Sequence, residues 1–378
     1  MKKAVLIPDS FKGTLSSLRI CELMRGCIEE LFPGCETVSI PVADGGEGSV
    51  EAFLEAVGGR RVEVQVTGPW FEPCTAHYGL LRDGGTAVLE MAAAAGLPMV
   101  GERRDPSRTT TYGLGELLLH AVRSGARRII LGLGGSATND GGCGAAAAAG
   151  VRFLDRDGRA FVPVGGTLRD IAGIDMSGLD PCLRGIELTA MCDIDNPLFG
   201  KSGAAYVFGP QKGADEAMVR ELDEGLRHLA DVILRDTGAD VSLLPGSGAA
   251  GGMGAGMAAF FGAQLRSGIE TVLDVTGFDG AAAGADVIFT GEGKLDSQSL
   301  RGKVVIGVAR RAARLGVPVI AIVGGADYGA EAAWAEGVTA VFPTNRLPQD
   351  FSLLRPHSEE NLVFTFKNVL RAMRAAGR

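Results

Sequence analysis

The sequence is short of paired cysteines, aromatic residues, histidine and positive charge, and each shortage removes a class of protein. Its seven cysteines (21, 27, 35, 74, 143, 182 and 192) are odd in number and contain no C-x-x-C pair. Neither a disulfide framework nor a zinc site is therefore indicated, and a reducing, cytoplasmic setting is expected. The four histidines are scattered, and His120 and His228 fall beside apolar helical positions, so none receives a role. A net charge of −8 without a Lys/Arg run argues against a nucleic-acid partner, whose binding rests on basic surface. The apolar start Ala4 to Ile7 stops at Pro8-Asp9, too short for a signal-peptide core. The longest uncharged stretch, Val241 to Leu265, carries seven glycines and reads as a glycine-rich loop and buried helix, with no membrane partner.

Glycine is what the chain has in excess. There are 57, about twice the usual share. They gather at 45–48, 132–144 and 246–256 without a collagen-like period, so they mark special loops. With 46% hydrophobic and 22% charged residues in 378, the chain is an ordinary globular sequence of about two domains.

Strand and helix signals alternate at both ends. Ala4 to Ile7 is a buried strand running into the polar loop Asp9 to Thr14. Ile20, Leu23, Met24, Cys27, Ile28 and Leu31 then recur at helical spacing, with Thr14 or Ser16 as cap and Pro33-Gly34 as terminator. Val38 to Val42 reads as a second strand leaving through Ala43-Asp44-Gly45-Gly46-Glu47-Gly48. Alternating residues from Arg61 onward, broken at Gly68-Pro69 and Asp83-Gly84-Gly85, read as hairpins. Strand–helix alternation returns with Val287 to Thr290, Val317 to Val323, Val338 to Phe342 and a last helix capped near Ser358. The simplest architecture is α/β in two domains. Residues 1–60 and 281–378 form a doubly wound parallel-sheet domain, and 61–280 form an inserted mixed α+β domain.

The centre of the chain is Arg127 to Gly144, a buried strand running into Gly134-Gly135-Ser136-Ala137-Thr138-Asn139-Asp140-Gly141-Gly142. Glycines let backbone N–H groups face an anion, so the segment suits phosphate; a bare strand-to-helix turn would need the same residues. Gly132-x-Gly134-x-x-Ala137 fits the dinucleotide fingerprint, but Asn139 to Gly142 occupies the first helical turns and Asp155 opens a hairpin. Gly200-Lys201-Ser202 ends like a Walker A loop, yet its first glycine falls on Asp195.

Asp9, Asp44, Asp193 and Asp296 each lie just beyond a strand, where open α/β sheets bind ligands. Carboxylates that accept a proton or hold Mg²⁺, beside cations, are what phosphoryl transfer requires, although an isolated aspartate there is more often a turn or cap. Lys12, Lys212 and Lys294 flank glycines in polar loops, where a solvated lysine is the usual outcome.

Six motifs in order resemble the bacterial glycerate kinase family. They are Asp-Ser-Phe-Lys-Gly-Thr at 9–14, Ala-Asp-Gly-Gly-Glu-Gly at 43–48, Gly-Gly-Ser-Ala-Thr-Asn-Asp-Gly-Gly at 134–142, Asp-Ile-Asp-Asn-Pro-Leu at 193–198, Phe-Gly-Pro-Gln-Lys-Gly-Ala at 208–214 and Thr-Gly-Glu-Gly-Lys-Leu-Asp-Ser-Gln at 290–298. The resemblance implies ATP- and Mg²⁺-dependent phosphorylation of D-glycerate to 2-phosphoglycerate or 3-phosphoglycerate, with one domain flavodoxin-like and the active site in the cleft between domains. On that reading Asp44, Asp193, Lys12 and Lys294 are the catalytic candidates. Asp9, Ser10, Gly45, Gly46, Glu47, Gly134, Gly135, Ser136, Thr138, Asn139, Asp140, Gly141 and Lys212 bind substrate or phosphate, and Asp193, Glu292 and Asp296 hold the metal. Lys294 replaces an expected Arg and Asp195 an expected Thr. A homodimer is left open. The competing readings are an NAD-dependent 2-hydroxyacid dehydrogenase and a non-catalytic small-acid-binding protein.

Overall fold

The computed structural model describes residues 1–42, 48–296 and 299–377. Asp44, Gly45, Gly46 and Glu47 lie outside them. The chain divides into two compact units, one of Met1–Asp44, Glu55–Val57 and Ser267–Arg378, the other of Gly45–Leu54 and Gly58–Arg266.

The first unit is built on a five-stranded sheet in the order Val338–Pro343, Val319–Val323, Val287–Gly291, Lys3–Pro8, Glu36–Ser39. Every pairing is parallel, with Pro8 opposite Gly291. A parallel sheet has both faces covered, which is why its inner strands are nearly continuous apolar runs. Ala4, Leu6, Val287 and Phe289 share one core with Ile20, Met24 and Ile28 of helix Ser17–Leu31 and with Leu362, Phe366 and Leu370 of helix Ser358–Ala375. The Phe289 and Phe366 rings meet edge to face with centroids 4.8 Å apart. Val5, Ile7 and Ile288, on the alternate side, are also fully buried, and helix Val304–Leu315 packs on the same strands.

Two boundaries differ from the sequence reading. The second strand is Glu36–Ser39, not Val38 to Val42: Ile40 N–H still donates to Leu6 O at 2.8 Å, but the next ladder donor, Val42 N–H, goes to the Ser17 hydroxyl instead of to the first strand. Ser358 is the first residue of the last helix and does not cap it; its hydroxyl donates to the Arg355 carbonyl at 2.8 Å. At the first helix, Ser16 is the cap, accepting from the Arg19 N–H at 3.2 Å.

The second unit carries a six-stranded sheet ordered Gln264–Arg266, Glu187–Met191, Arg128–Gly132, Thr86–Glu90, Pro73–Leu81, Gly59–Thr67. The first four strands are parallel and the last three are joined as antiparallel neighbours, so the sheet is mixed. Helix Tyr112–Arg123 buries Leu114, Leu117, Leu118, Ala121 and Val122 in its core. Val241 to Leu265 contains the helical stretch Ala249–Phe261, broken by left-handed backbone at Ala250, Gly251 and Gly252, and no helix among the described residues is long and apolar enough to cross a membrane.

One buried hydroxyl fixes where two loops leave the first sheet. Ser17 Oγ donates to the Pro8 carbonyl at 2.6 Å and accepts from the Val42 N–H at 2.9 Å, holding the exits toward residues 9–14 and 43–47. Ser17→Ala leaves both backbone groups unpaired. It should cost about 1–3 kcal/mol, read as a lower urea midpoint with an unchanged m-value.

Candidate functional site

In the second unit, the parallel strands Thr86–Glu90, Arg128–Gly132 and Glu187–Met191 end side by side, and the loops after them carry the polar residues. The loop after Gly132 is clamped from several directions. Leu97 N–H donates to Gly135 O at 2.8 Å and Ala137 N–H to Ala95 O at 2.9 Å, a short antiparallel bridge between Gly96 and Ser136. Thr109 Oγ1 donates to Ala137 O at 2.9 Å. Gly141 N–H donates to Gly251 O at 3.1 Å, and a Cβ on Gly251 would lie 2.0 Å from the Thr138 carbonyl, so only glycine permits that approach.

Asp140 organises the loop from within. It is wholly buried and accepts from Thr111 N–H and Oγ1, both at 2.8 Å, from Gly142 N–H at 3.1 Å and from Gly144 N–H at 3.2 Å. Burial raises its pKa, and the bonds from Thr111, Gly142 and Gly144 oppose the rise. With its oxygens occupied, Asp140 joins the start of helix Tyr112–Arg123 to that of helix Cys143–Ala148.

The backbone of the loop is the receptive part. The N–H groups of Gly134, Gly135 and Ser136 make no hydrogen bond to the described chain, and Gly134 and Gly135 remain accessible, Gly135 with φ at +75°. Unclaimed amides on a glycine turn form an anion cradle. Thr138, Asn139 and Ser247 are wholly buried, and Thr138 Oγ1, the Asn139 amide atoms and Ser247 Oγ have no hydrogen-bond partner among the described residues.

Lys212 departs most from the sequence reading. A lysine in a polar loop is usually solvated, and the resemblance puts Lys212 at substrate or phosphate; its side chain is fully buried, with Nζ donating to Ser136 Oγ at 2.8 Å and to Thr138 O at 2.7 Å. Burial lowers its pKa to about 7, partly offset by the charge of Asp140. Glu90, which sequence reasoning passed over, is buried and accepts from Val50 N–H at 2.7 Å in the first turn of helix Ser49–Val57. A carboxylate there is favoured by the helix dipole. A lone acidic residue at the end of a strand gives no signal of a partner 40 positions away. Asp193 follows strand Glu187–Met191 and is half-buried, its charge one of those raising the Cys192 thiol to about 11, behind burial as the main cause.

In the first unit, the register that sets Pro8 opposite Gly291 puts Asp9 and Glu292 next to each other beyond the strand ends. Both are buried. Asp9 N–H donates to Gly291 O at 2.8 Å, and Ser10 N–H to Asp9 Oδ1 at 2.7 Å. Glu292 Oε1 has no hydrogen-bond partner among the described residues. Burial raises the Glu292 pKa to about 7, and the charges of Asp9 and Asp296 push the same way against Lys303 and a bond from Ser299. Asp296 accepts from Ser299 N–H at 3.2 Å. Lys294 is exposed and paired with Asp327 at 2.8 Å, which raises its pKa. Among the described residues no group of three or more His, Cys, Asp or Glu side chains assembles to hold a metal.

The dinucleotide reading finds no support. Nothing helical begins until Cys143, and Asp155 closes a hairpin by accepting from Asp157 and Arg159 N–H, both at 2.9 Å. Fold and site together define an α/β protein with parallel sheets and an amide-lined glycine loop. The chain belongs to the glycerate kinase family, whose model matches residues 4–374. It is 47% identical over 375 residues to a glycerate kinase of Bacillus cereus, covering 99% of this chain and 98% of that one. It is also 47% identical over 341 residues to the glycerate 2-kinase of Escherichia coli, with 90% of each covered. A crystal structure of a candidate glycerate kinase 2 from Salmonella typhimurium LT2 superposes with a TM-score of 0.89 at 45% identity, over 100% of this chain and 99% of that one.

The Glu292 carboxyl gives a pH prediction for the protein free of nucleotide and metal. An unfolded carboxyl loses its proton near pH 4.5 and the native one near 7, so its burial costs little at pH 4, costs progressively more as pH rises from 4.5 to 7, and reaches its full cost above 7. Glu292→Gln should therefore match the wild type in Tm at pH 4 and exceed it at pH 8 by on the order of 2 kcal/mol, read by calorimetry. Equal stability at both pH values would refute the shift.

Proposed function

We propose that this protein transfers the terminal phosphoryl group of ATP to a hydroxyl of D-glycerate, giving 2-phosphoglycerate or 3-phosphoglycerate. The Escherichia coli relative named glycerate 2-kinase favours the 2-position. The observation that carries the reading, beside the family, is the set of unclaimed amides at Gly134, Gly135 and Ser136. They suit phosphate oxygens, whose charge must be stabilised while the group moves. We read the first unit as flavodoxin-like, since its strands, counted within the unit, run 2-1-3-4-5. The second unit, whose chain runs mostly between the first unit's opening and closing segments, carries the glycine loop.

Glu292 and Asp296, with Asp193, are the residues proposed to hold Mg²⁺. The fit rests on the buried, unpartnered Glu292 Oε1 beside further carboxylates, a hard-oxygen set of the kind that takes one or two protein contacts and leaves the rest to phosphates and water. When bound, the ion neutralises charge on the phosphate oxygens. Asp44 or Asp193 is assigned to take the proton of the attacking hydroxyl, and Lys12 and Lys294 to bind the glycerate carboxylate. Lys294 would exchange its exposed bond to Asp327 for that contact, a solvent-screened surface pair that is easily given up. Asp9 and Ser10, with Gly45, Gly46 and Glu47, are assigned to substrate.

Incubation with Mg-ATP and a panel of small hydroxy acids should release ADP with glycerate, and NMR of the product should show a single phosphorylated carbon. An NAD(H)-dependent absorbance change, or tight binding without turnover, would overturn the kinase reading. Of Asp44→Asn and Asp193→Asn, the one that removes the base should lower kcat at least 100-fold in an ADP-coupled assay. Wild-type kcat in both would clear both residues of that role.

A further inference from the structure

Lys212, which the resemblance counts among the phosphate-binding candidates, is a buried cation to which the proposed reaction gives no step. It belongs to the one-turn helix Pro210–Lys212, which is braced from behind. Arg104 Nη1 donates to Gln211 O at 3.2 Å, and Gly213, at φ +101°, lies so close to Arg104 that a Cβ would be 2.4 Å from its carbonyl. From this base the ammonium reaches Ser136 Oγ and Thr138 O. The same short stretch is held on its backbone side by the bridge to residues 95–97. The segment 135–138 is therefore gripped by main-chain bonds at Gly135 and Ala137 and by a lysine at Ser136 and Thr138, in alternation.

We propose that Lys212 is a positioning residue: its ammonium fixes Ser136 and Thr138 so that the amides of Gly134 to Ser136 stay turned toward bound phosphate, and it does not itself touch the ligand. This rests on the reading of that loop as the phosphate cradle. Two of the three ammonium N–H groups are spent on Ser136 Oγ and Thr138 O, and the residue is only 2% exposed, so an anion could reach the third only by opening the packing around it. A buried positive charge next to unclaimed N–H groups also adds favourable potential for an anion without contact, since the surroundings screen it poorly. The nearby charge is Asp140, whose oxygens are occupied by Thr111, Gly142 and Gly144, so it balances the ammonium at a distance and does not neutralise it by contact.

The test uses the full chain carrying Lys212→Met or Ser136→Ala, with two readouts. Hydrogen exchange without nucleotide is followed at Leu97 and Ala137, whose amides close the bridge. Steady-state kinetics give KM separately for ATP and glycerate. Lys212→Met should speed exchange at both amides at least 10-fold and raise KM for ATP at least 10-fold, with KM for glycerate changed less than 2-fold; Ser136→Ala should move both readouts the same way by about 3-fold. Unchanged exchange with weakened ATP would make Lys212 a direct ligand and overturn the proposal. Faster exchange with a raised KM for glycerate instead of ATP would uphold the positioning role while sinking the phosphate reading of the loop. If Lys212→Met does not fold, Ser136→Ala carries the test, and unaltered exchange in that variant overturns the proposal.

Discussion

The second unit depends on one buried carboxylate being fully hydrogen-bonded. An ionised group removed from water is tolerated only when donors replace its hydration. Asp140 finds them in Thr111, Gly142 and Gly144, which fixes the relative placement of two helix starts and the end of a glycine loop. The position of each neighbour follows. Thr111 is anchored further by Ala145 N–H at 2.9 Å, and the left-handed pair Gly141 and Gly142 can then turn the chain into its helix. Lys212 enters the same buried region with the opposite charge, so the interior of the loop holds one anion and one cation, both bonded mainly to neutral groups.

The first unit shows the contrasting case. Parallel register delivers Asp9 and Glu292 to the same sheet edge, yet Glu292 keeps an oxygen with no donor and its proton affinity rises to about 7. A saturated carboxylate is a fixture; an unsaturated one, surrounded by others of like charge, is prepared for a ligand that the protein alone does not supply. That difference separates Asp140 from Glu292 more clearly than sequence position does, since both follow strands and glycine in the chain.

How far the sequence reveals this follows from the range of each interaction. The strands at 3–8 and 287–291 and the helices at 17–31 and 112–123 are legible because their apolar spacing reports local burial directly. The glycine loop is legible because its backbone needs are written in its residue types, Gly135 and Gly141 among them. The strand end at Ser39 is not legible, because the group that takes the next ladder donor, the Ser17 hydroxyl, lies 25 positions from the Val42 N–H it accepts. The burial of Lys212, the carboxylate of Glu90 at a distant helix start and the pairing of Lys294 with Asp327 depend on contacts between 33 and 76 positions apart. No local pattern encodes those.

The seam between the two glycine segments has a consequence for how the site can change. Gly251 meets the Thr138 carbonyl, Gly252 lies against Gly141, and Gly256 against Gly141 and Gly142, main chain to main chain. A surface made this way offers evolution no side chains to exchange, and almost any replacement would pry the segments apart. Side chains that reach solvent, such as those of Asp195 and Lys294, can be exchanged without disturbing that seam. The backbone-to-backbone contact is thereby shielded from drift, and exposed positions elsewhere are left open to it.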